Sequence, residues 1–384
     1  MQLCCSRTRR AMVRSVTRLG GDEFIVLLSG GITEAADTAE RLITAVQTPF
    51  HYQNLPVSVG ASTGITIFPE HGQDPSSVMS AADLALYRAK GRGKGQYVLF
   101  MQAFREEELN RRRFERELET AVREHQFVLH YQPRYSATGA SIIGCEALVR
   151  WQHPVRGLLL PAQFIDLLIK IPLSVTLGEW IIRNALRQVR QWQLHLPSLR
   201  VSINLFPRQI STTGLEEILY DSAGGFADYV DFEIDESLLT TLIQETPERF
   251  EAVRMTGASF IIDHYGRAVG AISMLRQGFL SGLKIDKTLT LQLHTSMRVR
   301  MMFRGIAALG KSLGINVSAE GVEDNAQRKF VTLAGCDIIQ GSGLCLPLSA
   351  QAFEALICGT ESTDVDGILL AERGYYYATT LRSF

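Results

Sequence analysis

Cys145 to Pro154 reads Cys-Glu-Ala-Leu-Val-Arg-Trp-Gln-His-Pro, which sets a carboxylate and a guanidinium four residues apart. On an alternating strand Glu146 and Arg150 point the same way, while Cys145, Ala147 and Val149 face the other side. An acid and a base on one face suit an anionic ligand beside a metal ion; an edge strand with a salt bridge is the plainer alternative. Further along, Asn204, Glu236, Asp263, Lys284, Glu320 and Gln340 each end, or nearly end, an otherwise apolar run. Any one of them reads as a cap or a surface ion pair. Together with Glu146, on successive strands, they describe a mouth that holds hard cations and a phosphate.

The elements that must position these groups follow from periodicity. Strand-like runs are Phe127 to Pro133, Ile142 to Trp151, Val201 to Leu205, Tyr229 to Glu236, Phe260 to Asp263, Leu283 to Asp286, Asn316 to Glu320 and Asp337 to Gln340. Helical patterns such as Leu177 to Gln193, Val299 to Leu313 and Ala326 to Ala334 lie between them. Eight strands alternating with helices predict an α/β fold, a TIM-type (β/α)8 barrel with its chemistry at the strands' C-terminal ends. Ahead of it, Thr17 to Leu28 reads as two strands around a Gly20-Gly21 turn. A helix (Thr33 to Val46), a strand region (Val57 to Phe68), a second helix (Pro75 to Lys90) and a strand (Gln96 to Phe100) follow, a small α+β sheet. Met101 to Glu124 alternates charged and apolar residues at helical spacing, with Phe104, Leu109, Phe114, Leu118 and Ala121 near one stripe, and reads as a linker helix.

Composition bounds the rest. A chain of 384 residues suits two domains, one of barrel size. With 46% apolar and 21% charged residues it reads as globular, and a net charge of −1 excludes a chain-wide attraction to nucleic-acid polymers or anionic membranes. Cys4, Cys5, Cys145, Cys336, Cys345 and Cys358 lack a paired metal-ligand spacing, which fits reduced thiols in the cytoplasm. No apolar stretch reaches spanning length, and the arginine-rich start, Met1 to Arg14, lacks the apolar segment of a secretory signal.

Arg18 to Phe24 together with Ala82-Asp83-Leu84-Ala85-Leu86-Tyr87-Arg88-Ala89-Lys90 resembles the GGDEF family of diguanylate cyclases over about residues 14–101. The resemblance implies that Gly20 and Gly21 approach a guanine nucleotide, that Asp22 or Glu23 helps hold magnesium, and that Lys90 reaches a phosphate. That family carries a second metal-binding Asp on a strand before the hairpin, and its inhibitory Arg-x-x-Asp stands just upstream of the turn. Here Ala11 to Arg14 reads Ala-Met-Val-Arg, and so few residues precede it that the first strand is expected to be absent. The unit is therefore expected to be a partial sheet without cyclase activity.

The barrel segment resembles the EAL family of cyclic di-GMP phosphodiesterases over about residues 114–356, through seven motifs in the family's order. These are Tyr131-Gln132-Pro133, Glu146 to Trp151, Ser202-Ile203-Asn204-Leu205, Glu233-Ile234-Asp235-Glu236-Ser237, Lys284-Ile285-Asp286, Ala319-Glu320-Gly321-Val322-Glu323 and Gln340-Gly341. The resemblance implies hydrolysis of cyclic di-GMP to linear pGpG. It implies Mg2+ or Mn2+ held by Glu146, Asn204, Glu236, Asp263 and, in place of a second acid, His264. Glu320 would be the general base, Lys284 would steady the water and the developing charge, Gln132, Arg150 and Gln340 would hold substrate, and Glu323 would brace the loop after the fifth strand. The expected layout is 1–101 GGDEF-like, 102–124 linker helix, 125–358 barrel and 359–384 tail.

Two departures weigh on turnover. Asp263 is followed by His264-Tyr265-Gly266-Arg267-Ala268-Val269, where the family has a second acid and a small, Gly-containing turn; and Phe164-Ile165 leads to Leu168-Ile169 and Pro172 rather than to Ala-Glu. An imidazole is a poor magnesium ligand but serves manganese or zinc. Three readings follow: a weakened phosphodiesterase, a receptor or scaffold that binds the nucleotide without opening it, and a truncated relic. A homodimer or a protein partner is compatible with all three.

Overall fold

The computed structural model describes residues 2–6, 12–138, 141–212, 214–224, 227–267, 274–275 and 278–359. The expected tail lies outside them beyond residue 359, as does Val269 of the loop. Two compact units divide at Glu117 and Leu118, within the expected linker helix, which forms as Gln102–Arg123.

The first unit holds strands β1 (Gln2–Ser6), β2 (Met12–Gly20), β3 (Glu23–Ser29), β4 (Phe50–Tyr52), β5 (Leu55–Val57), β6 (Thr63–Phe68) and β7 (Tyr97–Leu99). Its main sheet runs β2-β3-β1-β6-β7, and β4 and β5 form a separate hairpin. Val26, Leu28 and Ile65 meet Ala35 and Ala39 of helix Ile32–Gln47. Helix Pro75–Gly91 lies close against β6, because a Cβ on Gly64 would sit 2.1 Å from the Ala82 carbonyl oxygen; the alanines of that helix and this glycine make the approach possible.

One expectation is overturned here. The sheet does not lack its central strand: β1 runs parallel between β3 and β6. Two strands held that far apart leave a row of backbone donors and acceptors open, and a short extended segment satisfies them whatever its side chains. The segment Gln-Leu-Cys-Cys-Ser carries no acid, so the place of the second metal-binding carboxylate remains unfilled by this strand.

The second unit continues with β8 (Phe127–Ser136), β9 (Ile142–His153), β10 (Gly157–Leu159), β11 (Arg200–Asn204), β12 (Val230–Asp235), β13 (Ser259–Tyr265), β14 (Leu280–Ile285), β15 (Asn316–Ala319) and β16 (Ile338–Ile339). Strands β9-β11-β12-β13-β14-β15-β16-β8 close into a barrel through the β8–β9 pairing, and β10 extends β9. From β9 to β16 neighbours run parallel, but β8 is antiparallel to both β9 and β16. Too few residues separate β8 from β9 for a crossover, so they form a hairpin. Helices cover the barrel with apolar stripes at helical spacing, such as Leu177, Ile181, Ala185 and Val189 of Leu173–Trp192.

Strand β12 shows how the interior is layered. Phe232 and Ile234 are buried on one face, so Asp231, Glu233 and Asp235 alternate onto the other. Asp231, in the lowest layer, accepts hydrogen bonds from Arg134 and Arg200 and from the Ser259 hydroxyl. This ion network lines the floor of the barrel, where strand-end residues serve stability.

Candidate active site

In the middle layer Lys284, only 4% exposed, brings the acids together. Its ammonium lies 2.9 Å from Glu146 Oε2, 2.7 Å from Glu233 Oε2 and 3.6 Å from Asp263 Oδ1. Glu146 also accepts from Asn204 Nδ2 at 2.8 Å and from Gln340 Nε2 at 2.7 Å. Gln340 donates on to Gln132 Oε1 at 2.9 Å, and Gln132 donates to the Cys345 carbonyl at 3.0 Å. The pairing of Gln132 with Glu146 across β8 and β9 sets this arrangement. Arg150 lies two inward positions above Glu146, buried, with one N–H on the Val149 carbonyl.

The carboxyls that share Lys284 part company electrostatically. Burial raises the cost of charging each, but Lys284 and the two amides hold Glu146 well below the usual carboxylate range. Burial and the repulsion of Glu146 push Glu233 up to about 8. Glu320 is likewise raised, first by burial, with Glu146 and Asp263 opposing its ionisation. Burial opposes the charge on Lys284, but the surrounding acids Asp263, Glu146, Glu233 and Glu320 raise it well above its ordinary value.

At the mouth, His264 Nδ1 stands 3.2 Å from Asp235 Oδ2 and 3.4 Å from Asp263 Oδ2. Interaction with Asp235 lifts His264 to about 9 against the opposing effect of burial, with Asp263 adding to the rise. Its backbone is left-handed, φ +56, and its N–H is held by Asp263 Oδ1 at 2.8 Å. One donor atom each from Asp263, His264 and Glu320 lie within 4.8 Å of one another.

Of the sequence-predicted residues, Glu146, Asn204, Asp263, His264, Lys284, Glu320, Gln132 and Gln340 meet in one connected cluster around Lys284, with Arg150 on the same face of β9. Two expected roles change. Glu236 begins helix Glu236–Glu245, so the chain has turned out of the strand before it. Its carboxylate accepts the N–H groups of Gly266 and Arg267, 3.0 and 3.1 Å away. Glu236 thus braces the loop, the role expected of Glu323, and Glu323 is exposed, its own N–H held by Gln327. The acid beside Lys284 from this strand is Glu233. The two-residue period from Asp231 through Glu233 to Asp235 is the signal that singles it out.

The last motifs interlock through backbone. A Cβ on Gly341 would lie 2.1 Å from the Val322 carbonyl oxygen, and Val322 donates to the Gln340 carbonyl at 3.1 Å. Gly341 therefore lets the segment after β16 press against that after β15, fixing Gln340 near Glu320.

In the first unit the β2–β3 turn is Gly21-Asp22, one residue on from the expected Gly20-Gly21, because Gly20 ends β2 opposite Glu23; Gly21 is at φ +51 and its carbonyl accepts from Arg18. Asp22, Glu23 and Lys90 are exposed. Burial, then the charge of Glu23, raises Asp83.

The EAL domain model matches residues 115–347, and the model described as diguanylate cyclase, GGDEF domain, matches 6–96. The chain is 33% identical over 349 residues to the cyclic di-GMP phosphodiesterase PdeR of Escherichia coli K12, covering 88% of this chain and 52% of PdeR. It is 32% identical over 356 residues to the bifunctional diguanylate cyclase/cyclic di-GMP phosphodiesterase MucR of Pseudomonas aeruginosa, covering 91% of this chain and 52% of MucR. It spans about half the length of these curated relatives. The structure of the PaMucR phosphodiesterase in complex with c-di-GMP superposes with a TM-score of 0.59 at 32% identity, over 63% of this chain and 99% of that one. Since the EAL match spans more than half of its residues, the chain belongs to the EAL domain family.

Proposed function

We propose that the barrel hydrolyses cyclic di-GMP to linear pGpG with a divalent cation, magnesium or manganese. The observation that carries this is the convergence of Glu146, Asn204, Glu233, Asp263 and Glu320 around one buried lysine. Glu233 Oε1 and Glu320 Oε2 are buried without a hydrogen-bond partner, and oxygen donors so placed suit a hard cation. The residues fit the metal: Glu146, Asn204, Glu233 and Asp263 would hold it. When bound, it supplies positive charge at the phosphoryl oxygens and eases deprotonation of water.

The chain's own groups do the rest. Arg150 pairs with a phosphate of the nucleotide, and Gln132 and Gln340 keep Glu146 oriented. Glu320, made more basic by burial, takes the proton of the attacking water, and Lys284 stabilises the charge that develops on phosphate. Attack breaks one ring P–O bond; the proton taken by Glu320 leaves with the departing ribose oxygen or to solvent. In the first unit, Asp22 and Glu23 lack a carboxylate partner on β1, and this part makes no cyclic di-GMP. The test is chromatography of cyclic di-GMP incubated with the protein and each metal. Linear dinucleotide that vanishes in Glu320→Gln supports the reading. His264, paired with Asp235, favours a second reading, a receptor that binds without turnover, which predicts saturable binding and unchanged nucleotide.

A further inference from the structure

The donors at the mouth fall into two sets of different chemistry. Around Lys284 the carboxylates Glu146, Glu233 and Asp263 offer oxygen alone, joined by the side-chain amide of Asn204, whose Nδ2 donates to Glu146 and whose other atom is an oxygen. Above it the set is mixed: Asp263 again, Glu320, and the imidazole of His264, with one donor atom from each inside 4.8 Å.

Two atoms of the mixed set are left over by the protein. His264 Nδ1 and Glu320 Oε2 are buried with no hydrogen-bond partner. Buried polar atoms are ordinarily paired, so two unpaired ones from residues far apart in sequence and converging on one spot point to a missing ligand. The neighbouring carboxylates do not supply it: Asp235 Oδ2 and Asp263 Oδ2 approach Nδ1 at 3.2 and 3.4 Å, within ion-pair range but without hydrogen-bond alignment. The imidazole is also held in place. Its residue sits at φ +56, rarely adopted without glycine, with its N–H fixed on Asp263 Oδ1 and the following Gly266 and Arg267 N–H groups fixed on Glu236.

We propose that Asp263, His264 and Glu320 form a second cation position that selects a nitrogen-accepting transition ion of the cobalt, iron or zinc class over magnesium, with His264 as the selecting residue. Magnesium demands oxygen ligands in near-octahedral array, whereas imidazole favours the later divalent ions. The inference deepens the phosphodiesterase reading and rests on it for the use of the ion in turnover, but not for its binding. With both positions filled, the all-oxygen set takes the harder ion and the mixed set the softer one.

The test is metal binding to the full chain without nucleotide. Calorimetry with Co2+ and with Mg2+ on the wild type and on His264→Asp reads the ratio of the two affinities. That ratio falls at least about tenfold in the variant, since an imidazole has become a third carboxylate. A ratio unchanged within twofold overturns the proposal. A second measurement does not depend on the variant folding: pulsed electron paramagnetic resonance of Co2+ bound to the wild-type protein shows imidazole nitrogen modulation, and its absence overturns the proposal. Chromatography of cyclic di-GMP in parallel separates this failure from failure of the functional reading. Nitrogen-ligated metal with intact nucleotide sinks turnover alone; hydrolysis in magnesium with no nitrogen signal sinks the mixed site alone.

Discussion

Replacing Lys284 by Met removes the cation that lies among Glu146, Glu233 and Asp263, all 5% exposed or less. Breaking a buried ion pair by deleting one partner costs about 3–5 kcal/mol, because the charge left behind is uncompensated. Glu233, pushed up to about 8, already carries a proton near neutral pH, so fewer charges are stranded and the lower end, about 3 kcal/mol, applies. For a unit of this size each kcal/mol moves the melting temperature by about 2–4 °C, giving a fall of roughly 6–12 °C. A divalent cation stands in for the ammonium: at a hundredfold excess over its dissociation constant it returns about 2.7 kcal/mol. Thermal melts followed by circular dichroism, with and without manganese, read both effects. The metal should raise the melting temperature of Lys284→Met more than that of the wild type, where the ammonium competes for the same oxygens. A loss of under about 1 kcal/mol, or an equal rise in both proteins, would refute the claim that Lys284 holds the place of a cation.

Other outcomes follow from the same geometry. Arg150→Ala weakens cyclic di-GMP by about 2 kcal/mol, near thirtyfold by calorimetry, as for a lost charged hydrogen bond; unchanged affinity removes Arg150 from the site. Burial alone would raise Asp231, but its bond from Arg200 and the charges of Arg134 and Arg200 hold it below its ordinary value, so the stability it lends is whole above about pH 4 and is lost as pH falls through the folded-state value. Asp231→Asn is therefore less stable at neutral pH and loses less on acidification; melts with the wild-type acid slope would exclude the floor network from acid unfolding. Incubation with GTP and magnesium yields no cyclic di-GMP, and accumulation sensitive to Asp22→Ala and Glu23→Ala would overturn that account of the first unit.

The barrel was legible because its strands are apolar runs stopped by polar residues, and each of the eight predicted runs overlaps a barrel strand. The direction of β8 was hidden, since alternation alone does not tell an antiparallel strand from a parallel one. Strand β1 was missed because an extended segment is recruited by the open backbone on either side rather than by its own residues. Within the site, Asn204, Asp263, Lys284 and Gln340 could be read from strand ends, and Glu146, inside β9, from sharing a strand face with Arg150. Glu236 was favoured over Glu233 because the end of β12 falls one residue before it, and a one-residue slip moves a side chain out of the barrel. His264 stood out by its type, but its left-handed backbone and its approach to Asp235 depend on contacts between strands that no local pattern records.

The central claim is that the barrel mouth binds cyclic di-GMP and opens it. Calorimetric titration of the full chain with the nucleotide in manganese, followed by chromatography of the same mixture, tests it most directly. The account predicts saturable heat and a growing peak of linear dinucleotide. Absence of heat, or saturation with the cyclic nucleotide recovered intact, would contradict it.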